Sequence, residues 1–198
     1  MTLITMPYGL FGKIKRRQLM TTEAATASPF TGSQQIQDWG GEWWEYDMDF
    51  ALHQGRQGKK MSAFFAQMGR GRNTFLMADW SIDQVVAGTP VVSGAGQSGN
   101  TLVTSGWPVS STVLQYGDFF QIGTAEQTRL HQLTADAVSN GSGIATLSFV
   151  PALRSSPANA APLVVNAPQV HLRLTSGVPA DIRSGGIYSF TMTAREAI

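Results

Sequence analysis

The sequence predicts a mainly β protein: a β-sandwich or barrel carrying one packed α-helix, with a second small β-barrel-like domain inserted into it. Three observations lead there. Most of the chain consists of short β-prone runs broken by Gly, Pro, Asn and Ser. Only one stretch places its apolar residues at helical spacing. Two breaks set off a middle segment: Ile82–Asn100, rich in Gly, Val and Ser, and Pro151–Pro168, with four prolines and a run of Ala. A chain of 198 residues can form one large domain or two small ones. At this size about 70% of the unfolded surface can be buried, so no metal or disulfide is needed to hold a core.

The predicted strands are, in order, Leu3–Met6, Gln34–Asp38, Trp43–Leu52, Asn73–Ala78, Thr101–Ser105, Phe119–Ile122, Arg129–Ala135, Gly143–Phe149, Gln169–Leu174 and Ile187–Ala194. Trp44, Tyr46, Met48 and Phe50 share one face of their strand and Glu45, Asp47 and Asp49 the other, as in a half-buried strand. In Gly143–Phe149 the apolar face is Ala145, Leu147 and Phe149. The helix is read over Gln57–Gln67, where Met61, Phe64, Phe65 and Met68 fall at i, i+3, i+4 and i+7, with Gly69 and Gly71 as the stop. Asn140-Gly141 is a hairpin signal joining Arg129–Val138 to Gly143–Phe149. The last two strands need partners, and pairing them with the N-terminal sheet gives one domain over 1–80 plus 166–198 and an inserted domain over 81–165. Trp39, Trp43, Trp44, Trp80, Phe64 and Phe65 are expected to form the sheet–helix core, and Trp107, beside Pro108, to anchor the two units. No repeat of fixed period is visible.

Charged residues make up 14% of the chain, against about 25% in typical domains. Either part of the surface is covered by other subunits, whose interface cores are poor in charge, or this is a neutral, Gly-rich monomer. A net charge of +1 gives no basic face of the kind a dedicated nucleic-acid binder needs. The absence of cysteine excludes thiol catalysis, thiolate metal sites and disulfides. The apolar run Met1–Gly12 precedes its basic residues instead of following them, the wrong order for a secretory signal, and no apolar run approaches the length that spans a bilayer. A soluble protein made in the cytoplasm, with no membrane anchor, is expected.

Signals of chemistry are weak. His53, His131 and His171 are widely spaced, with no metal-binding pattern, and read as strand histidines. Gly94-Ala-Gly96-Gln-Ser-Gly99 matches the nucleotide fingerprint, but a β-prone run follows it where a helix N-terminus is required. No nucleophile elbow occurs. Glu42, Glu45, Asp47 and Asp49 beside Trp39, Trp43, Trp44 and Tyr46 could form a sugar-cleaving acid pair, but the strand alternation explains them; a carbohydrate-binding surface stays open as an alternative. Asn140-Gly-Ser142 fits a glycosylation sequon and reads as the hairpin turn. The expectation is therefore no catalytic residue, no cofactor and no metal. Basic residues gather at Lys13–Arg17 and at Arg56, Lys59, Lys60, Arg70 and Arg72, as solvated loops or as partners for a neighbouring subunit's carboxylates.

The run Ser28-Pro-Phe-Thr-Gly32, Gln34-Gln-Ile-Gln-Asp-Trp39, Gly41-Glu-Trp-Trp44, then Ala63-Phe-Phe65 and Gly71-Arg-Asn-Thr-Phe75, resembles the opening of distal tail and related tail-tip proteins of long-tailed, siphovirus-like bacteriophages. Gly117-Asp-Phe-Phe-Gln-Ile122, Leu130–Asp136, Gly143–Leu147, Pro151-Ala-Leu-Arg154 and the closing Gly186–Glu196 extend the similarity over about Pro29 to Glu196. The resemblance implies a structural virion protein, a ring-forming belt-like domain and a ring, typically a hexamer, that joins the tail tube to the baseplate hub. Its partners would be copies of itself, the tail tube protein and the hub and tail-tip proteins, with localisation at the virion tail tip. Another minor tail or hub protein of the same tip is the alternative. Ring closure needs a heterologous interface. Lys13, Lys15, Arg16 and Arg17 in a basic loop Gly12–Met20, together with Arg70, Arg72 and the segment Ile82–Asn100, are the expected contacts.

Overall fold

The fold is organised by one long strand whose alternate side chains are buried. The computed structural model describes residues 1–7 and 12–198; residues 8–11 of the apolar N-terminal run lie outside the described residues. The elements are β1 (Leu3–Ile4), β2 (Lys13–Ala27), β3 (Gln34–Gln54), α1 (Arg56–Met68), β4 (Thr74–Ala78), β5 (Val91–Val92), β6 (Gly99–Ser105), β7 (Thr112–Leu114), β8 (Phe119–Ile122), β9 (Arg129–Leu133), β10 (Ala137–Val138), β11 (Ile144–Leu153), β12 (Leu163–Val164), β13 (Gln169–Leu174), β14 (Ala180–Arg183) and β15 (Ile187–Glu196). The protein is mainly β with one α-helix among the described residues.

Strands from both ends of the chain share the largest sheet, in the order β1-β4-β13-β15-β3-β2, with β14 on β15. Register follows the buried alternation: Met48 lies opposite Met192, Tyr46 opposite Ala194 and Phe50 opposite Phe190, all of them buried. The helix covers this face. Met61, Phe64, Phe65 and Met68 are buried, with Phe65 5.2 Å from Phe190 and Phe64 5.6 Å from Phe75, centroid to centroid. Gly58 lets the helix approach β15, because a Cβ there would stand 2.1 Å from the Tyr188 ring. At the C-terminus the Gly69 N–H reaches Phe65 O at φ 60°, so the chain leaves the helix through a left-handed glycine.

The middle of the chain forms a six-stranded sheet, β12-β8-β9-β11-β6-β5, that closes almost into a barrel through an antiparallel bridge from Val91 to Pro162; β7 and β10 pair beside it. Leu102, Phe120, Leu147 and Phe149 fill its interior. Trp107 belongs to this interior, its indole N–H donating to Thr104 Oγ1 at 2.8 Å, which corrects its expected role as an anchor between units. That role falls to Trp44: it packs 5.9 Å from Phe119 and its indole N–H donates to Leu130 O at 2.9 Å.

The short strands β5, β7, β12 and β14 lie outside the expected set, and two long strands differ from expectation. Gln34–Asp38 and Trp43–Leu52 are parts of a single strand, β3. Residues Lys13–Ala27, expected to begin as a basic loop, form β2. Their Lys, Glu and Ala residues are depleted in strands, but β3 supplies a ladder along their whole length, and pairing overrides propensity. At Asn140, the side-chain Oδ1 accepts the N–H groups of Ser142 and Ile144, and Gly143 takes the left-handed position, so the turn is longer than a two-residue hairpin.

Candidate assembly surface

The basic cluster of β2 is placed by a bulge. Between Ile14 and Arg16 the register with β3 slips, so the consecutive cations Lys15 and Arg16 both reach the outer face of the sheet, where Lys15 pairs with Asp49 at 2.7 Å and Arg16 with Asp47 at 2.8 Å. Lys15 holds the Asp49 carboxyl below its usual range, helped by the Thr191 hydroxyl. Exposed pairs of this kind contribute little to stability. Lys13 lies opposite Asp49 and is exposed.

Arg17 points the other way. Its guanidinium donates to the buried Asp79 carboxylate at 2.5 Å and lies 4.1 Å over the Phe119 ring. The Tyr46 hydroxyl (3.1 Å) and the Ser81 N–H (3.0 Å) and hydroxyl (2.6 Å) also donate to Asp79. Burial, and then the Asp79 charge, push the Tyr46 phenol well above its ordinary range. Arg17 is thus engaged as a clasp inside its own chain. The segment Ile82–Asn100 is likewise bound to its own chain: the Gln84 amide donates to Phe119 O and Val165 O and accepts the Phe119 N–H, Val86 N–H reaches Asn166, and Val92 is core. Its glycine-rich loop folds around Gln97, whose amide bonds Ser93 O, Gly94 O and both backbone groups of Val103, and it leads into β6 instead of a helix.

Beyond Glu42, β2 and β3 leave the body as a two-stranded arm. β15 pairs with β3 only as far as Glu45, so the outer edges of both arm strands have no neighbour among the described residues. Ser28–Ser33 form the tip: Gly32 N–H reaches Ser28 O at 3.0 Å, Ser28 N–H reaches Ser33 O at 2.9 Å, and Gly32 is left-handed. The base is a second bulge, where Trp39, Gly40 and Gly41 lie against Thr22. Thr22 Oγ1 donates to Gly41 O at 2.8 Å, and a Cβ on Gly41 would come 1.9 Å from the Thr22 hydroxyl oxygen. The bulge carries Trp39 out into solvent at 64% exposure, which corrects its assignment to the core. Phe30 is 96% and Ile36 62% exposed. Trp43, half-buried with its indole N–H on Glu45 at 3.1 Å, also lies outside the core, whereas Trp44, Phe64 and Phe65 are in it and Trp80 packs against it.

No family model matches the chain, and no curated protein matches it. Among the described residues no three His, Cys, Asp or Glu side chains gather where they could hold a metal ion, and no helix is long and apolar enough to cross a membrane. Arg70 and Arg72 follow α1; Arg72 is exposed, and Arg70 lines a cleft with Arg173 and Arg195. Sequence reasoning missed those last two arginines and the arm carboxylates Glu23 and Asp38. Nothing local marks them, because their grouping depends on which residues face each other across paired strands.

Proposed function

We propose that this chain is a structural subunit of a phage tail tip, assembling into a closed ring, typically of six copies, that joins the tail tube to the baseplate hub. The observation that carries this reading is the arm. A two-stranded ribbon is marginally stable alone in water, and this one holds Phe30, Ile36 and Trp39 in solvent while contributing no side chain to either core. Burying such residues is worth about 2 kcal/mol each. Its two open edges can also continue a sheet in another subunit, the geometry by which one chain docks on the next. The run Ser28–Gly32, the first of the ordered motifs in the resemblance to tail-tip proteins, forms the arm's tip.

Light scattering on the purified protein tests this. The wild type should run as a multiple of the 21.3 kDa chain and show closed rings by electron microscopy. Replacing residues 22–40 with a short turn should leave a folded monomer. A wild type that is monomeric at every concentration would refute the reading.

A further inference from the structure

We infer that the arm's acidic pair, Glu23 and Asp38, seats on the arginine cleft formed by Arg70, Arg173 and Arg195 of a second copy of this chain. The inference rests on the ring reading and names the contact that would close it. Glu23 lies directly opposite Asp38 in the β2–β3 ladder, and Arg173 lies directly opposite Arg195 in the β13–β15 ladder. Like charges so placed are destabilising. The chain thus carries two unfavourable pairs of opposite sign, and among the described residues neither forms an ion pair; the three ion pairs lie elsewhere.

The two pairs match in spacing as well as in sign. Directly opposed residues of an antiparallel ladder hold their Cβ atoms about 4.5–5.5 Å apart in both cases, so each carboxylate can meet one guanidinium, with the charge-assisted and bidentate geometry that arginine favours. Arg70 adds a third cation to a cleft of about 330 Å³ that is also lined by Gly71, Leu174 and Thr175. The carboxylate that faces it from the neighbouring strand is Glu45, opposite Arg195 and already accepting the Trp43 indole N–H. On the arm, one Asp38 oxygen accepts the Gly40 N–H at 2.7 Å, which leaves acceptor capacity for an arginine.

The contact must be made between copies. Arg195 lies level with Glu45 on β3, and Asp38 lies further along the same extended strand, on the order of 20 Å away. A chain's own arm therefore points away from its own cleft. A neighbour's arm can enter it, so each copy gives one arm and receives one, the heterologous arrangement that closes into a ring.

Charge reversal tests the pairing, with mass read by light scattering and native mass spectrometry. E23R/D38R and R173E/R195E should each weaken self-association at least tenfold, in line with the coupling of close interfacial charge pairs, and the fourfold variant should regain it. Wild-type association should also weaken with added salt. Each reversal keeps a like-charged pair in its ladder, so melting temperatures should change little. R173Q/R195Q, which sets no new carboxylate beside Glu45, should weaken association with melting unchanged or raised, since the like-charge pair is gone, and so separates lost contact from misfolding. If the wild type assembles and both reversed doubles assemble equally well, the pairing is wrong and the ring reading stands. Loss in both doubles without recovery in the fourfold variant overturns it as well. A wild type that stays monomeric removes both.

Discussion

Acidifying the protein from pH 7.5 to 4.5 should destabilise it through one side chain in the middle barrel. His131 is buried between Phe120, stacked at 5.3 Å, and Phe149 at 4.8 Å, and its Nδ1–H donates to Pro151 O at 2.8 Å. Burial, reinforced by the charges of Arg129 and Arg154, lowers its pKa to about 4. The unfolded chain, with an ordinary value of about 6.5, binds the proton first as pH falls. The neutral imidazole therefore contributes stability in full above about pH 6.5 that is lost progressively down to about pH 4. At pH 4.5 the loss works out at about 2–3 kcal/mol, and at pH 7.5 it is close to zero. Glu196 acts in the opposite sense. Burial raises its carboxyl, so its charge is disfavoured in the folded state and protonation on acidification relieves that cost. His171, lowered by burial, and Asp49, lowered by Lys15, act in the same sense as His131. Comparing the wild type with H131F removes this background, because Glu196, His171 and Asp49 are common to both and the phenyl ring keeps the aromatic stack. Urea unfolding followed by tryptophan fluorescence should find H131F less stable at pH 7.5, where a hydrogen bond is lost, and should show that deficit shrinking by about 2–3 kcal/mol at pH 4.5. Parallel pH profiles for the two proteins would refute the argument.

Other substitutions test the packing. R17A leaves the Asp79 charge buried without its cation and should cost about 3–5 kcal/mol in urea unfolding; R17K should recover part of it, since a point charge reaches Asp79 but cannot lie flat over Phe119. W44F keeps an aromatic ring against Phe119 but strands the Leu130 carbonyl, for an expected loss of about 1–3 kcal/mol; W44A should lose about 3–5 kcal/mol. G58A should destabilise by about 1–3 kcal/mol even though alanine is the better helix former by about 1 kcal/mol, because the added methyl meets the Tyr188 ring. W39S should leave the melting temperature of the unassembled chain unchanged while weakening self-association, a split that a core tryptophan could not show.

Local pattern determined what depends on neighbours in sequence. The period of Met61, Phe64, Phe65 and Met68 located the helix, glycine ended it, and strict alternation in Trp44–Phe50 assigned the buried face of β3, because side-chain direction follows from backbone repeat alone. β2 was not legible, since its residues form a strand only where β3 offers a ladder. Trp39 and Trp44 are alike in composition and context, and a bulge of a few residues sends one into solvent and the other into the core. The clustering of basic residues drew attention to Arg17, which the fold turns inward onto Asp79. The opposed pairs Glu23–Asp38 and Arg173–Arg195 join residues far apart in the chain, and only the register of paired strands brings each pair together. Periodicity is a short-range property that a sequence carries in itself, whereas register, bulges and the choice of which charges face each other arise when distant strands pair, and so belong to the tertiary structure.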